Sequence, residues 1–365
     1  MSPTRDDVMA ALAAVAAPAS PGAPATVAGY VGPSDIVIRD GRVLVSIGIA
    51  DAVPTLWEPT RADVEARLQR LPGVTAVLVS LTAERAPVTG LDRTARSAVA
   101  GTTSPAPVRG FPALSKIKRI VAVASGKGGV GKSTTACNIA LGFAALGLEV
   151  GVLDADIYGP SMPKLFALKG QPRIASGRTL IPLEAYGCKV MSIGFVVDAD
   201  NAMIWRGPMV ASAITQMLRD VAWGTLDVLV VDMPPGTGDA QLTLAQSVPL
   251  SGAVIVSTPQ DLSLLDARRG ITMFRNVDVP ILGIVENMSY FVCDDCGKRH
   301  HIFAHGGARE EAQKLGVPFL GEVPLELMIR ERSDAGMPIV VSAPDSPGAK
   351  AFLAIAASVW AALKT

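Results

Sequence analysis

Apolar residues cluster in two different ways along this chain. From Ile120 onward they form short unbroken runs: Ile120–Ala124, Val150–Leu153, Val228–Val231, Ala253–Val256 and Ile281–Val285. Valine and isoleucine dominate, and no polar residue alternates with them. Such runs predict strands buried on both faces. Segments of helical spacing separate them, starting with Thr134–Leu141. The final one, Ala351–Leu363, carries Phe352, Leu353, Ile355, Val359 and Trp360 and predicts a packed last helix. Strand and helix in alternation predict an α/β domain over 118–365, a mostly parallel sheet flanked by helices.

Ahead of residue 88 the pattern predicts a small α+β domain over 1–87. Asp6 to Ala17 reads as a short helix. Asp35–Arg39 and Arg42–Ile49 read as two strands about the turn Asp40-Gly41. Thr60–Leu71 reads as a helix capped by Thr60, with Val64, Leu68 and Leu71 on one face. Gly73–Leu81 reads as a further strand. Residues 88–117 fit neither domain. Val88-Thr89-Gly90 and Thr102-Thr103-Ser104-Pro105-Ala106-Pro107 are small, polar and proline-bearing, which predicts a flexible linker.

Composition narrows the partners. Formal net charge is zero and only 18% of residues are charged, which argues against a nucleic-acid partner held by bulk electrostatics. Residues 9–34 carry no charge, yet Pro18, Pro21 and Pro24 interrupt them and Asp6 and Asp7 precede them, so neither an export signal nor a membrane span is expected. The last helix lacks the basic polar face of a membrane-binding one. The expected location is the cytoplasm, with no membrane and no nucleic acid as partner. Four cysteines do not make a disulfide framework in a chain of 365 residues.

The first run leads straight into chemistry. Gly126 to Ser133 satisfies G-x-x-x-x-G-K-[ST] between a strand and a helix, the setting of a phosphate-cradling P-loop. Glycines at 126, 128, 129 and 131 let backbone N–H groups converge on phosphate oxygens, and the helix N-terminus adds its dipole. With Val130 and Thr134 they make the expected nucleotide contact. Lys132 would reach the β/γ-phosphates and Ser133 would hold Mg²⁺. The run ending in Asp232 is placed to hold Mg²⁺ as well. Met233-Pro234-Pro235-Gly236-Thr237-Gly238-Asp239 follows, a turn suited to sensing the γ-phosphate. Asn287, after a late strand, is a candidate for reading the adenine edge.

A second centre is Cys293-Asp294-Asp295-Cys296, followed by the three histidines of the chain, His300, His301 and His305. Two thiolates leave a four-ligand site half filled. Four readings are open: a cluster shared with the same pair of a second subunit, a local zinc site using His300 and His305, a thiol redox pair, or an inert pair. Cys137 and Cys188 are expected to be packed thiols.

Several stretches resemble known families. The second lysine of the loop, Lys127, resembles the deviant Walker A group that includes MinD, ParA, the arsenite ATPase and the nitrogenase iron protein. That resemblance implies a nucleotide-dependent homodimer in which Lys127 reaches across the interface. Asp154-Ala155-Asp156-Ile157-Tyr158-Gly159-Pro160-Ser161 is similar to the D-A-D-I-Y-G-P-S stretch of the same group. It implies that Asp156 positions or activates the attacking water and that Asp154 supports the Mg²⁺ shell. Gly283 to Phe291 before the cysteine pair, with Thr258-Pro259-Gln260-Asp261 and the 233–239 turn, resembles the Mrp/ApbC family of ATP-binding iron–sulfur carriers. The resemblance spans 118–345. It implies a slow ATP hydrolase that holds a labile [4Fe–4S] cluster on Cys293 and Cys296 between subunits and delivers it to apo-proteins. The first domain, with Leu71-Pro72-Gly73-Val74, resembles a small iron–sulfur assembly domain. Its turn at 52–57 has no cysteine, so a docking role is expected. Two rivals remain: a MinD/ParA-like positioning ATPase and a zinc-stabilised nucleotide switch.

Overall fold

The computed structural model describes residues 3–18, 24–32, 35–39, 41–49, 54–83, 114–175, 179–196, 207–293 and 295–364. Most of the expected linker, 88–113, lies outside them, as do Asp40 and Asp294. The chain forms two compact units, one drawn from positions 1–108 and 203–213, the other from 109–202 and 214–365.

In the first unit α1 (Arg5–Ala13) opens with a reciprocal cap. Asp7 N donates to Thr4 Oγ1 at 3.2 Å and Thr4 N donates to the Asp7 carboxylate at 2.8 Å. β1 (Ile36–Arg39) and β2 (Arg42–Ile49) pair antiparallel, and β3 (Ala76–Ala83) joins β2 in parallel after α2 (Pro54–Leu68). Val43, Val45, Ile47 and Ile49 of β2 alternate into a core with Val8, Leu12, Trp57, Val64 and Leu68. α2 begins at Pro54, so Thr60 lies inside the helix and does not cap it. Trp57 explains the earlier start: it is buried edge-on against Tyr30, ring centroids 4.7 Å apart, and that packing outweighs the backbone bond lost at Pro59. β3 starts at Ala76, because Gly73 takes φ +80° in the preceding turn.

The chain then runs β4 (Ile117–Ala124), α3 (Lys132–Ala145), β5 (Val150–Asp154), α4 (Met162–Leu165), β6 (Arg173–Ile174), β7 (Leu180–Ile181), β8 (Leu183–Ala185), β9 (Cys188–Ser192), α5 (Gly207–Asp220), β10 (Leu226–Asp232), α6 (Asp239–Ser247), β11 (Gly252–Ser257), α7 (Asp261–Arg275), β12 (Ile281–Glu286), β13 (Phe291–Val292), β14 (Arg299–His300), α8 (Gly307–Leu315), β15 (Phe319–Glu322), α9 (Leu327–Asp334), α10 (Ile339–Ser342) and α11 (Pro347–Ala362). Eight strands make one sheet in the order β15-β12-β11-β4-β10-β5-β9-β8. Every neighbouring pair is parallel except β8 with β9. Leu114 is buried and Ile117 already pairs with Leu226, so the sheet starts just ahead of residue 118.

Layer packing follows from the sequence. β11 is buried at every position. α11 turns Phe352, Ile355 and Val359 inward and lies along α3. Gly142 lets the two helices approach, since a Cβ there would stand 2.6 Å from that of Ala356. Among the described residues no helix is long and apolar enough to cross a membrane. The carboxyl ends of β4, β5, β10 and β12 meet at one edge, where parallel sheets bind ligands.

Candidate functional site

The loop after β4 is built as the glycines require. Gly129 and Gly131 both take φ +80°, a conformation that favours glycine. A Cβ on Gly126 would collide with the backbone of Asp266 in α7, and one on Gly131 with the Asn287 amide. Around Gly128 and Gly129 the space is open, so a ligand can approach the backbone there. Ser125 Oγ donates to Lys127 O at 2.8 Å and holds the first bend. Lys127 is half-buried and forms no ion pair among the described residues.

Lys132 opens α3 and is buried. Its Nζ lies 2.6 Å from Asp232 Oδ1, 3.5 Å from Asp156 Oδ2 and 3.3 Å from Ser133 Oγ. Burial raises the pKa of Asp232 and of Asp156, and Lys132 pulls both back down. Among the described residues Asp232 Oδ2 and Asp156 Oδ1 are buried without a partner. The centre is short of positive charge, and its spare donors are hard oxygens. Asp232 with Ser133 therefore fits a divalent cation such as Mg²⁺.

Asp154, expected to support the Mg²⁺ shell, is held by its own neighbours. It is fully buried at the end of β5, and its oxygens accept from Asp156 N (3.2 Å), Ser161 N (3.0 Å), Met162 N (3.0 Å) and Ser192 Oγ (2.9 Å). Burial and the charge of Asp232 push it up to about 7. These bonds fold the 156–161 stretch over the site, three of them on Oδ2 and one on Oδ1.

Asn287 Nδ2 donates to Val130 O at 2.8 Å, so the side chain clamps the phosphate loop. An adenine contact would have to use its Oδ1 or its second N–H. Asn287 also lines a cavity of ≈ 430 Å³ with Gly131, Ser133, Pro324, Leu325 and Ser333. That volume and mixed lining suit a purine nucleoside next to the phosphate loop. Lys164 and Asp334, 2.7 Å apart, stand on its wall.

The cysteine pair occupies the tip of the β13–β14 hairpin. Cys293 N donates to Lys298 O at 3.0 Å and Gly297 N to Cys293 O at 2.8 Å. Cys296 is exposed, Cys293 half-buried, and neither is in a disulfide. His300 packs on Phe291, His301 stacks on His305 at 4.2 Å, and His305 Nδ1 contacts Ser289 Oγ at 3.2 Å. Among the described residues no group of three or more His, Cys, Asp or Glu is arranged to hold a metal. Cys137 and Cys188 are packed thiols, the latter pushed up to about 12 by burial.

Residue patterns gave no warning of Glu286, Ser289, Arg299 or Glu322, which shape the base of the hairpin. The first two lie in the quoted Gly283–Phe291 stretch, but their roles depend on partners far along the chain.

Loop, buried lysine and carboxylate at the strand ends define a nucleotide-binding P-loop NTPase domain. The chain belongs to the ParA family described as "NUBPL iron-transfer P-loop NTPase", whose profile matches residues 116–360. A second profile, "iron-sulfur cluster assembly protein", matches residues 5–79. The chain is 57% identical over 242 residues to the iron-sulfur cluster transfer protein NUBPL of Dictyostelium discoideum, covering 66% of this chain and 75% of that one. It is 46% identical over 331 residues to the iron-sulfur cluster carrier protein of Synechocystis, 89% of each. Among solved structures, a nucleotide-binding protein of Archaeoglobus fulgidus in complex with ADP superposes with a TM-score of 0.56 at 44% identity, covering 61% of this chain and 88% of that one.

Proposed function

We propose that this protein is a homodimeric, ATP-binding carrier that assembles a [4Fe–4S] cluster on Cys293 and Cys296 of two subunits and passes it to apo-proteins. The observation that carries the reading is the cysteine pair at a hairpin tip on the nucleotide edge of the sheet. It offers two thiolates where a cluster needs four, so a second copy completes the set. The names borne by relatives across both units support the same cargo. Two available thiols suit a reducing compartment, the cytoplasm.

The nucleotide chemistry follows from the residues. Triphosphate competes with Asp232 and Asp156 for the Lys132 ammonium, while the glycine loop donates its N–H groups. Asp232 and Ser133 would hold Mg²⁺, which neutralises charge between phosphates. Asp156, its carboxyl raised by burial, is suited to orient the attacking water and take its proton, giving ADP and phosphate. Asp154 holds the 156–161 stretch in place, and Lys127 completes the opposing subunit's site. Asn287 borders the base.

The deciding experiment is anaerobic reconstitution with iron and sulfide, beside a Cys293→Ala/Cys296→Ala variant. Iron near four atoms per dimer, with broad visible absorption that the variant lacks, is the expected result. Zinc retained and no cluster formed would replace this reading with the nucleotide switch.

A further inference from the structure

The stretch from Glu286 to Phe291 touches the phosphate loop at one end and carries the cysteine hairpin at the other. Asn287 grips Val130 O, and Met288 lines the cavity beside Gly131 and Ser133. Met288 takes φ +56°, a left-handed conformation that a residue with a Cβ keeps only where its surroundings hold it. They do so on both flanks. Asn287 N donates to Ser257 O (2.8 Å), Ser289 N to Val323 O (3.0 Å) and Leu325 N to Tyr290 O (2.7 Å).

The excursion that bears the cysteines leaves this turn and returns at the start of α8. One buried carboxylate closes its base. Glu286 accepts from Ser289 Oγ (2.6 Å), Gly306 N (3.0 Å) and Ala308 N (2.8 Å). The single hydroxyl hydrogen of Ser289 is spent on Glu286, so in the 3.2 Å contact with His305 Nδ1 the ring nitrogen is the donor. Outgoing and returning chain are thereby cross-linked through Glu286, Ser289 and His305, next to the residue that clamps the phosphate loop. Further out, Arg299 stacks on Tyr290 at 3.4 Å and pairs with Glu322 at 2.8 Å.

We propose that this closed base couples nucleotide occupancy to cluster retention, with Ser289 and His305 as positioning residues. A shift of the phosphate loop is felt at Asn287 and Met288, and the cross-link carries it to both ends of the cysteine excursion. Packed turns of this kind switch between discrete arrangements. The inference rests on the carrier reading above. Neither Ser289 nor His305 lines the nucleotide cavity or supplies a cluster thiolate, so their loss should change the coupling and spare both sites.

The test compares wild-type, Ser289→Ala and His305→Ala proteins, each full length and loaded anaerobically with iron and sulfide. Cluster loss to a ferrous-iron chelator is followed by visible absorption with no nucleotide, ADP or ATP. Iron content, ADP affinity and melting temperature are recorded alongside. The wild-type rate should differ between nucleotide states by at least about fivefold, and the difference should fall below about twofold in either variant with ADP affinity and iron content kept. A wild-type ratio preserved in a variant, or a loaded wild type indifferent to nucleotide, overturns the coupling and leaves the carrier reading standing. A wild type that takes up no iron overturns both. His305, with a partly exposed side chain, provides the decisive variant should Ser289→Ala not fold.

Discussion

Lys132 is the residue on which the nucleotide site turns. It sits between two buried carboxylates, and phosphate must outcompete them. Lys132→Met should weaken ADP binding on the order of 100-fold, the loss of two charge-assisted contacts. Titration with a fluorescent ADP analogue reads it; affinity within about threefold of wild type would show that the backbone alone holds the phosphates. Gly131→Ala tests the loop from its other side. Any side chain there meets both φ +80° and the Asn287 amide, so stability should fall by about 1–3 kcal/mol and ADP binding should be lost. Thermal melts with and without ADP check both parts. The form of this loop was legible in the sequence because a phosphate-cradling turn restricts backbone and side chain within eight consecutive positions. Asp154 was not. An acid at a strand end has the same sequence pattern whether its oxygens face a metal or, as here, three backbone N–H groups and a serine.

Between elements, α7 and α8 are joined by a two-pronged pair. Arg268 Nε and Nη2 stand 2.6 and 2.8 Å from the oxygens of Glu311, whose carboxyl is lowered by that bonding against the cost of its burial. A folded-state pKa below the unfolded 4.5 means the contribution is complete above that pH and disappears as pH falls through the lowered value. Glu311→Gln should therefore flatten the acid limb of a melting-temperature profile below about pH 4.5 while lowering stability at neutral pH. An acid limb as steep as wild type would remove the pair from the account. The long apolar strands β4, β10, β11 and β12 were legible as elements because full burial demands unbroken apolar runs. The start of α2 was not, since Trp57 packs its first turn against Tyr30 from outside the helical pattern. Nor were β8 and β15, too short or too polar to stand out.

At the scale of the molecule, the nucleotide loop and the hairpin proposed to carry the cargo lie toward one sheet edge. If two subunits complete the cluster, loading should double the sedimenting mass, and chelation should return monomers in the absence of nucleotide. Analytical ultracentrifugation under anaerobic conditions measures this; a loaded monomer would require ligands from within one chain. That the chain holds an α+β region ahead of a mostly parallel sheet was legible from the change of hydrophobic pattern. The link proposed between nucleotide loop and hairpin was not, because its bonds join residues 286–290 to 323–325 and Glu286 to Gly306.

The cysteine hairpin also bears on how this architecture could diversify. Its strands are two residues long and sit outside the eight-stranded sheet, and its ends are gathered at Glu286. Residues at the tip can therefore be exchanged without disturbing any core position. On the carrier reading, the same nucleotide-binding fold could be refitted for another soft-metal cargo by rewriting a single short turn, provided the base at Glu286 is kept.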